Sequence, residues 1–172
     1  VPVQAQGIGV DAERLAVVGN SAGGALAAGL AQRAADGTAP AIVFQMLHQP
    51  VIDDRPTPSK AEFTETPGFD GPAAQQMWRH LAGDETVPAD AVPARRENVS
   101  GLAAALVTCS ELDPLRDEAI DYARRLMQAG VATELHVFPG TCHGFDSFLP
   151  DWETSQELFA LQGSALRRAF EV

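Results

Sequence analysis

The sequence predicts an α/β domain built on a parallel sheet with flanking helices. Apolar runs of strand length alternate with longer segments of helical periodicity. One such run, Leu15-Ala16-Val17-Val18, passes through the tight turn Gly19-Asn20-Ser21-Ala22-Gly23-Gly24 directly into an alanine-rich stretch without proline. Strands joined by helical crossovers of this length lie parallel, since antiparallel neighbours need only a short hairpin.

In chain order, residues 5–13 read as the end of a helix, with a glycine stop at Gly7 or Gly9 and a turn into the strand at Leu15. Residues 25–35 form the helix behind the tight turn, and Gly37-Thr38-Ala39-Pro40 breaks it. Residues 41–47 are a second buried strand ending at His48-Gln49-Pro50. Residues 51–71 are rich in proline, acid and threonine and read as a surface excursion, of the kind that shapes an active-site mouth. Residues 73–81 put Met77, Trp78 and Leu81 on one helical face, and residues 84–100 are again loop-like. Residues 102–110 are a third strand. The following helix runs to Gln128, stopped by Gly130, with Ile120, Ala123, Leu126 and Met127 at helical spacing. Residues 133–138 are a fourth strand, 139–148 a loop and 153–170 a closing helix.

With 172 residues and 45% hydrophobic content, the chain has material for one core, and residues 1–172 read as part of one domain. Twelve basic residues against 23 acidic ones give a net charge of −11, which disfavours nucleic acid or an anionic membrane as a partner. No apolar run approaches the ~18 residues of a membrane span. Cys109 and Cys142 are too few for a disulfide framework, which fits a reducing cytoplasm. The chain opens on Val1-Pro2-Val3 without methionine, and the expectation is that sequence precedes it.

The chemistry centres on Gly19-x-Ser21-x-Gly23. Strand and helix approach closely in such a turn, so its glycines leave room that a side chain would fill, while the strained serine projects outward. The helix N-terminus beside it supplies free N–H groups, and the N–H of Ala22 can face a developing oxyanion. The pattern also occurs in ordinary glycine-rich turns. What favours a nucleophile is the setting, a strand before and a helix after. The partners of Ser21 should lie at carboxyl ends of later strands, where an open parallel sheet forms its crevice. Asp113 follows the third strand and His143 the fourth, in the order Ser, Asp, His. Asp113 before Pro114 equally fits a helix cap, and His143 equally fits a solvated loop residue. Glu111 and Asp117 are the competing acids. His136 falls in a strand, His80 on a helix and His48 too early in the order.

GNSAGG, LDPLRDEAIDYARRL and FPGTCHGF together resemble the bacterial hormone-sensitive-lipase-like carboxylesterases, a family of the α/β-hydrolase fold. VIDDRP with QAGVATELHVFPGTCHG is similar to its heroin- and acetyl-esterase type. The resemblance implies Ser21 as nucleophile, Asp113 as acid and His143 as base. The family more often has Asp where this chain has Asn20. Family members also carry an upstream His-Gly-Gly motif that completes the oxyanion hole, together with N-terminal strands and a cap. This sequence has none of these, so the resemblance implies the C-terminal portion of such a domain. Losing one oxyanion donor costs on the order of 100 to 1,000-fold in turnover.

The expected function is therefore hydrolysis of small acyl esters through an acyl-enzyme, with neither metal nor cofactor. The esters should be uncharged, because no basic cluster surrounds the motifs. His48, Gln49, Leu112 and Phe145 are the expected pocket walls. Amidase or thioesterase chemistry would use the same residues. The alternative from another class is a weakly active or non-catalytic binding module. The strand at Leu15 should lie at a sheet edge unprotected by charge or proline, which invites pairing and suggests a homo-oligomer if no longer chain covers it.

Overall fold

Four parallel strands form the sheet, and each lies beside its neighbour in sequence. The structure, a computed structural model, describes residues 4–83 and 85–171. Val1-Pro2-Val3 and Asp84, the head of the expected 84–100 loop, lie outside the described residues.

A short helix α1 (Ala5–Ile8) is closed by Gly9, whose φ of 70° needs a glycine. Strand β1 (Ala16–Asn20) starts one residue later than the apolar run and continues through Gly19 to the serine. Helix α2 (Ala22–Ala35) begins three residues earlier than periodicity suggests, because Ala22, Gly23 and Gly24 already belong to its first turn. Strand β2 (Phe44–His48) is buried at every residue. Its side chains alternate between two cores: Leu47 packs with Ala27 and Ala28 of α2, whereas Phe44 and Met46 face the other side of the sheet.

The expected excursion at 51–71 is only partly on the surface. Val51 and Ile52 are buried, and a short helix α3 (Pro58–Glu62) is capped by the Thr57 hydroxyl, which accepts from the Lys60 N–H. Helix α4 (Gly71–Ala82) follows with Asp70 as its cap, and its Trp78 packs with Val51 and Leu115. Two short 3₁₀ turns, Ala89–Ala91 and Pro93–Arg95, interrupt the 84–100 segment.

Strand β3 (Ala104–Leu112) is buried from Ala105 to Ser110 and leads to α5 (Arg116–Gln128). Tyr122, Ala123 and Leu126 of α5 pack with Val107 and Leu47. Strand β4 (Thr133–Cys142) runs four residues past the expected end. Pro139 is tolerated there because among the described residues β4 pairs only with β3, and the pairing is irregular between Ser110 and Leu112. In that irregular stretch Glu111 accepts the N–H of Gly140 at 2.7 Å. The expected 139–148 loop thus shrinks to a turn and a single-turn helix α6 (Phe145–Phe148). Helix α7 (Glu153–Phe170) covers the second face, with Ala165 against Phe44, Met46 and Leu106. Among the described residues no helix is long and apolar enough to cross a membrane.

Candidate active site

Registers Asn20↔His48 and His48↔Thr108 bring the ends of β1, β2 and β3 level, so the turns that follow them crowd one edge of the sheet. Ser21 stands at the turn from β1 into α2 with φ 56° and ψ −122°, a positive φ that non-glycine residues rarely adopt. Three backbone bonds hold it there. Its N–H donates to His48 O at 2.9 Å, and its carbonyl accepts from Gly24 N at 2.9 Å and Val51 N at 3.0 Å. The turn is closed to larger residues: a Cβ on Gly19 would lie 2.0 Å from Gly23 O, and one on Gly24 would lie 2.5 Å from Pro50 Cβ.

Across the crevice, Nε2 of His143 is 3.0 Å from Ser21 Oγ, and Nδ1 is 2.8 Å from Asp113 Oδ2. One tautomer satisfies both contacts, with Nδ1–H donating to Asp113 and the serine hydroxyl donating to Nε2. The Asp113 side chain is fully buried, and that of His143 is 12% exposed. Asp113 also serves its own turn, since Oδ1 accepts the Leu115 N–H at 2.8 Å. The helix itself starts at Arg116 with Leu115 as its cap residue, so the carboxylate organises the turn before α5 rather than capping the helix. The Phe69 ring lies 4.8 Å from the His143 ring, tilted by 36°, and shields one imidazole face.

Ala22 opens α2, so its N–H has no place in the helix ladder, and no acid in that first turn competes for the dipole. The groove beside Ala22, about 530 Å³, is lined by Leu26, Leu30, Val51, Met77 and Trp78. Its walls are mainly apolar, with one charge of each sign, Arg33 and Asp90, also on the lining, and suit an uncharged chain. The arrangement can make a hydroxyl nucleophilic, accept its proton, stabilise the resulting imidazolium and donate a hydrogen bond to an oxyanion.

The expected pocket walls are elsewhere. His48 is 4% exposed, with Nδ1 2.8 Å from Thr108 Oγ1 and Nε2 3.2 Å from Asp146 Oδ1. That histidine holds the Asp146 carboxyl below the usual range. Gln49 is fully buried and hydrogen-bonded at both ends of its carboxamide. Phe145 packs in a small core with Phe138 and Leu158, and Leu112 is exposed. In the sequence His48, Gln49 and Leu112 stand at or just past strand ends, and Phe145 falls in the expected 139–148 loop. What moves them away from the groove is the direction of each side chain, which has no sequence signature.

Two competing acids have structural partners. Glu111 binds Gly140, and Asp117 Oδ2 accepts the Ser59 N–H at 2.8 Å. Beneath them Glu118 is buried against Lys60, and its Oε1 accepts the N–H groups of Ile52 at 2.7 Å and Asp53 at 3.1 Å. Burial pushes the Glu118 carboxyl up to about 7 against the pull of Lys60. Lys60 also donates to Asp53 O at 2.6 Å and Arg55 O at 3.0 Å, so this ion pair ties the 51–60 segment to α5. Burial likewise pushes the Cys109 thiol up to about 12. Among the described residues no group of three or more His, Cys, Asp or Glu is arranged to hold a metal ion.

A family profile described as alpha/beta hydrolase fold matches residues 2–147. The chain is 41% identical to Esterase LipI of Mycobacterium tuberculosis over 142 residues, covering 80% of this chain and 44% of that protein. It is 40% identical to Ethyl acetate hydrolase of Pseudomonas putida over 149 residues, covering 83% and 46%. The structure superposes on esterase LipW from Mycobacterium marinum with a TM-score of 0.97 at 61% identity, covering all of this chain and 55% of that one. On a bacterial heroin esterase the TM-score is 0.92 at 39% identity, covering 99% and 56%. The chain thus spans about half the length of these relatives.

Proposed function

The chain belongs to the alpha/beta hydrolase fold family, and from that premise we propose that it hydrolyses small, uncharged carboxylic esters through an acyl-enzyme. The observation that carries the reading is the unbroken chain of contacts from Ser21 Oγ through His143 to Asp113, at 3.0 and 2.8 Å. Ser21 Oγ attacks the ester carbonyl carbon while His143 Nε2 takes the hydroxyl proton. Ala22 N–H donates to the oxyanion as it develops. His143 then gives its proton to the departing alkoxide, which leaves as the alcohol, and the acyl group stays on Ser21. In the second half a water loses a proton to His143 and attacks the acyl carbon. The acid leaves and Ser21 regains its proton. Throughout, Asp113 keeps the proton on Nδ1 and stabilises the imidazolium.

The apolar groove beside Ala22 supports an uncharged acyl or alkyl group as the bound portion. The names of the relatives, esterases and an ethyl acetate hydrolase, point in the same direction. Two free thiols support a reducing, cytoplasmic setting. The test is hydrolysis of p-nitrophenyl acetate and butyrate by this chain beside Ser21→Ala. Turnover that disappears in the alanine variant is the expected result. Equal rates in parent and variant overturn the reading and leave the alternative, a binding module with an unused triad.

A further inference from the structure

The turn that ends β2 touches both halves of the Ser–His pair. His48 O accepts the Ser21 N–H at 2.9 Å, and Val51 N donates to Ser21 O at 3.0 Å. Between them sits Gln49, and its side chain reaches the other partner. Nε2 donates to Cys142 O at 3.2 Å and to Ser110 Oγ at 2.6 Å, and Oε1 accepts the Gly144 N–H at 2.8 Å. Cys142 and Gly144 are the two residues that flank His143. The orientation of the carboxamide is unambiguous, because a carbonyl oxygen can only accept and an amide N–H can only donate. A primary amide offers a donor and an acceptor at that separation; an ionised carboxylate would turn a lone pair toward Cys142 O, and a thioether would bind neither.

The backbone of Gln49 is strained to make this reach. Its φ is 45°, and its N–H donates to Thr108 O at 2.7 Å. A residue with a side chain pays on the order of 1 kcal/mol or more for such a conformation, and strain of this kind persists only where surrounding bonds fix it. A second tether runs alongside, from His48 Nε2 to Asp146 Oδ1. Neither tether touches a reacting atom.

We infer that Gln49 is a positioning residue for His143: its carboxamide brackets the histidine on both sides and fixes it relative to the serine turn held by the same four-residue segment. The inference rests on His143 being the general base of the proposed reaction. Nucleophile and base meet across 122 residues of sequence, and a misplacement of about 1 Å in such a pair costs on the order of 100-fold in rate.

The experiment compares the parent with Gln49→Met, close in volume and lacking both hydrogen-bonding functions, and with Gln49→Glu, which keeps only the acceptor. Each is measured for kcat and KM on p-nitrophenyl acetate and for thermal midpoint. Each is also examined for the far-downfield proton resonance of the His143 Nδ1–H bonded to Asp113, assigned by its absence in His143→Ala. In Gln49→Met the expected result is a kcat lower by about 100-fold, unchanged KM, and a resonance lost or displaced well below the thermal midpoint. Should Gln49→Met not fold, Gln49→Glu carries the same expectation. An unmoved resonance in a folded variant overturns the inference, whether or not its midpoint falls. A parent without turnover but with a resonance that Gln49→Met displaces removes the esterase reading and leaves the positioning role standing. A parent with neither turnover nor the resonance overturns both.

Discussion

One carboxylate oxygen of Asp113 lies 2.8 Å from His143 Nδ1 while the other accepts the Leu115 N–H at 2.8 Å, so a single side chain both orients the imidazole and builds the turn before α5. Asparagine in its place can accept at only one of these two positions, and its amide N–H would favour the wrong imidazole tautomer. Asp113→Asn is expected to lower kcat about 10⁴-fold. Its chemical denaturation midpoint should move much less, because with the amide N–H facing His143 the remaining oxygen still accepts the Leu115 N–H. Steady-state kinetics beside a denaturant titration separate the two effects.

Gly19 and Gly29 should answer oppositely to a side chain. A Cβ on Gly19 would meet Gly23 O at 2.0 Å, and neither backbone can withdraw. Gly19→Ala is expected to destabilise by about 3 kcal/mol, in the range of core overpacking. Gly29, inside α2 on the groove beside Ala22, has nothing within 4 Å of its missing Cβ. Gly29→Leu should therefore gain about 0.5–1 kcal/mol of helix stability. The leucine would also fill part of the groove, so the butyrate-to-acetate ratio of kcat/KM should fall; an unchanged ratio would show that the acyl chain lies elsewhere.

The buried pair of Glu118 and Lys60 predicts a pH dependence of stability. Burial raises the Glu118 carboxyl to about 7 from its ordinary 4.5, so the folded chain binds more protons than the unfolded one between those values. Its contribution is then complete below about pH 4.5 and is lost as pH rises through about 7, up to roughly 3 kcal/mol. Unfolding free energies measured from pH 5 to 8 should decline, and Glu118→Gln should flatten the decline. Lys60→Met leaves the carboxylate without its cation and should cost about 3–5 kcal/mol at pH 8.

Strand β1 pairs on one side only among the described residues, and its Val18 is 57% exposed. An apolar edge of this kind associates. Concentration-dependent growth in light-scattering mass is expected for this chain, and Val18→Lys should reduce it. A parent that stays monomeric at high concentration contradicts the prediction.

The strand-turn-helix at Ser21 was legible because it depends on local spacing: four apolar residues, glycines where backbones meet, and small residues in a first helical turn. The four strands and the closing helix at 153–170 were legible from periodicity for the same reason. The extension of β4 to Cys142 was hidden by Pro139 and Gly140, which read as turn residues but are accommodated where the ladder with β3 is irregular. Burial of Val51 and Ile52 was hidden because their backbone partners lie far off in sequence: the Val51 N–H donates to Ser21 O, and the Ile52 N–H to Glu118, 66 residues on. Gln49 and His48 were recognised as strand-end residues, but their side-chain directions come from tertiary bonds to Cys142, Gly144 and Asp146.

Ser21, Asp113 and His143 come from the ends of three strands, with 122 residues separating serine from histidine and 30 separating aspartate from histidine. Contacts so distant in sequence form late when a chain refolds, after local helices and the neighbouring strand pairs. The Asp113–His143 contact can exist in a half-assembled sheet, whereas the Ser21–His143 contact requires β1, β2, β3 and β4 together. Reactivity of Ser21 toward an organophosphorus reagent should consequently appear after helical circular dichroism has recovered, which makes a single serine a clock for completion of the sheet.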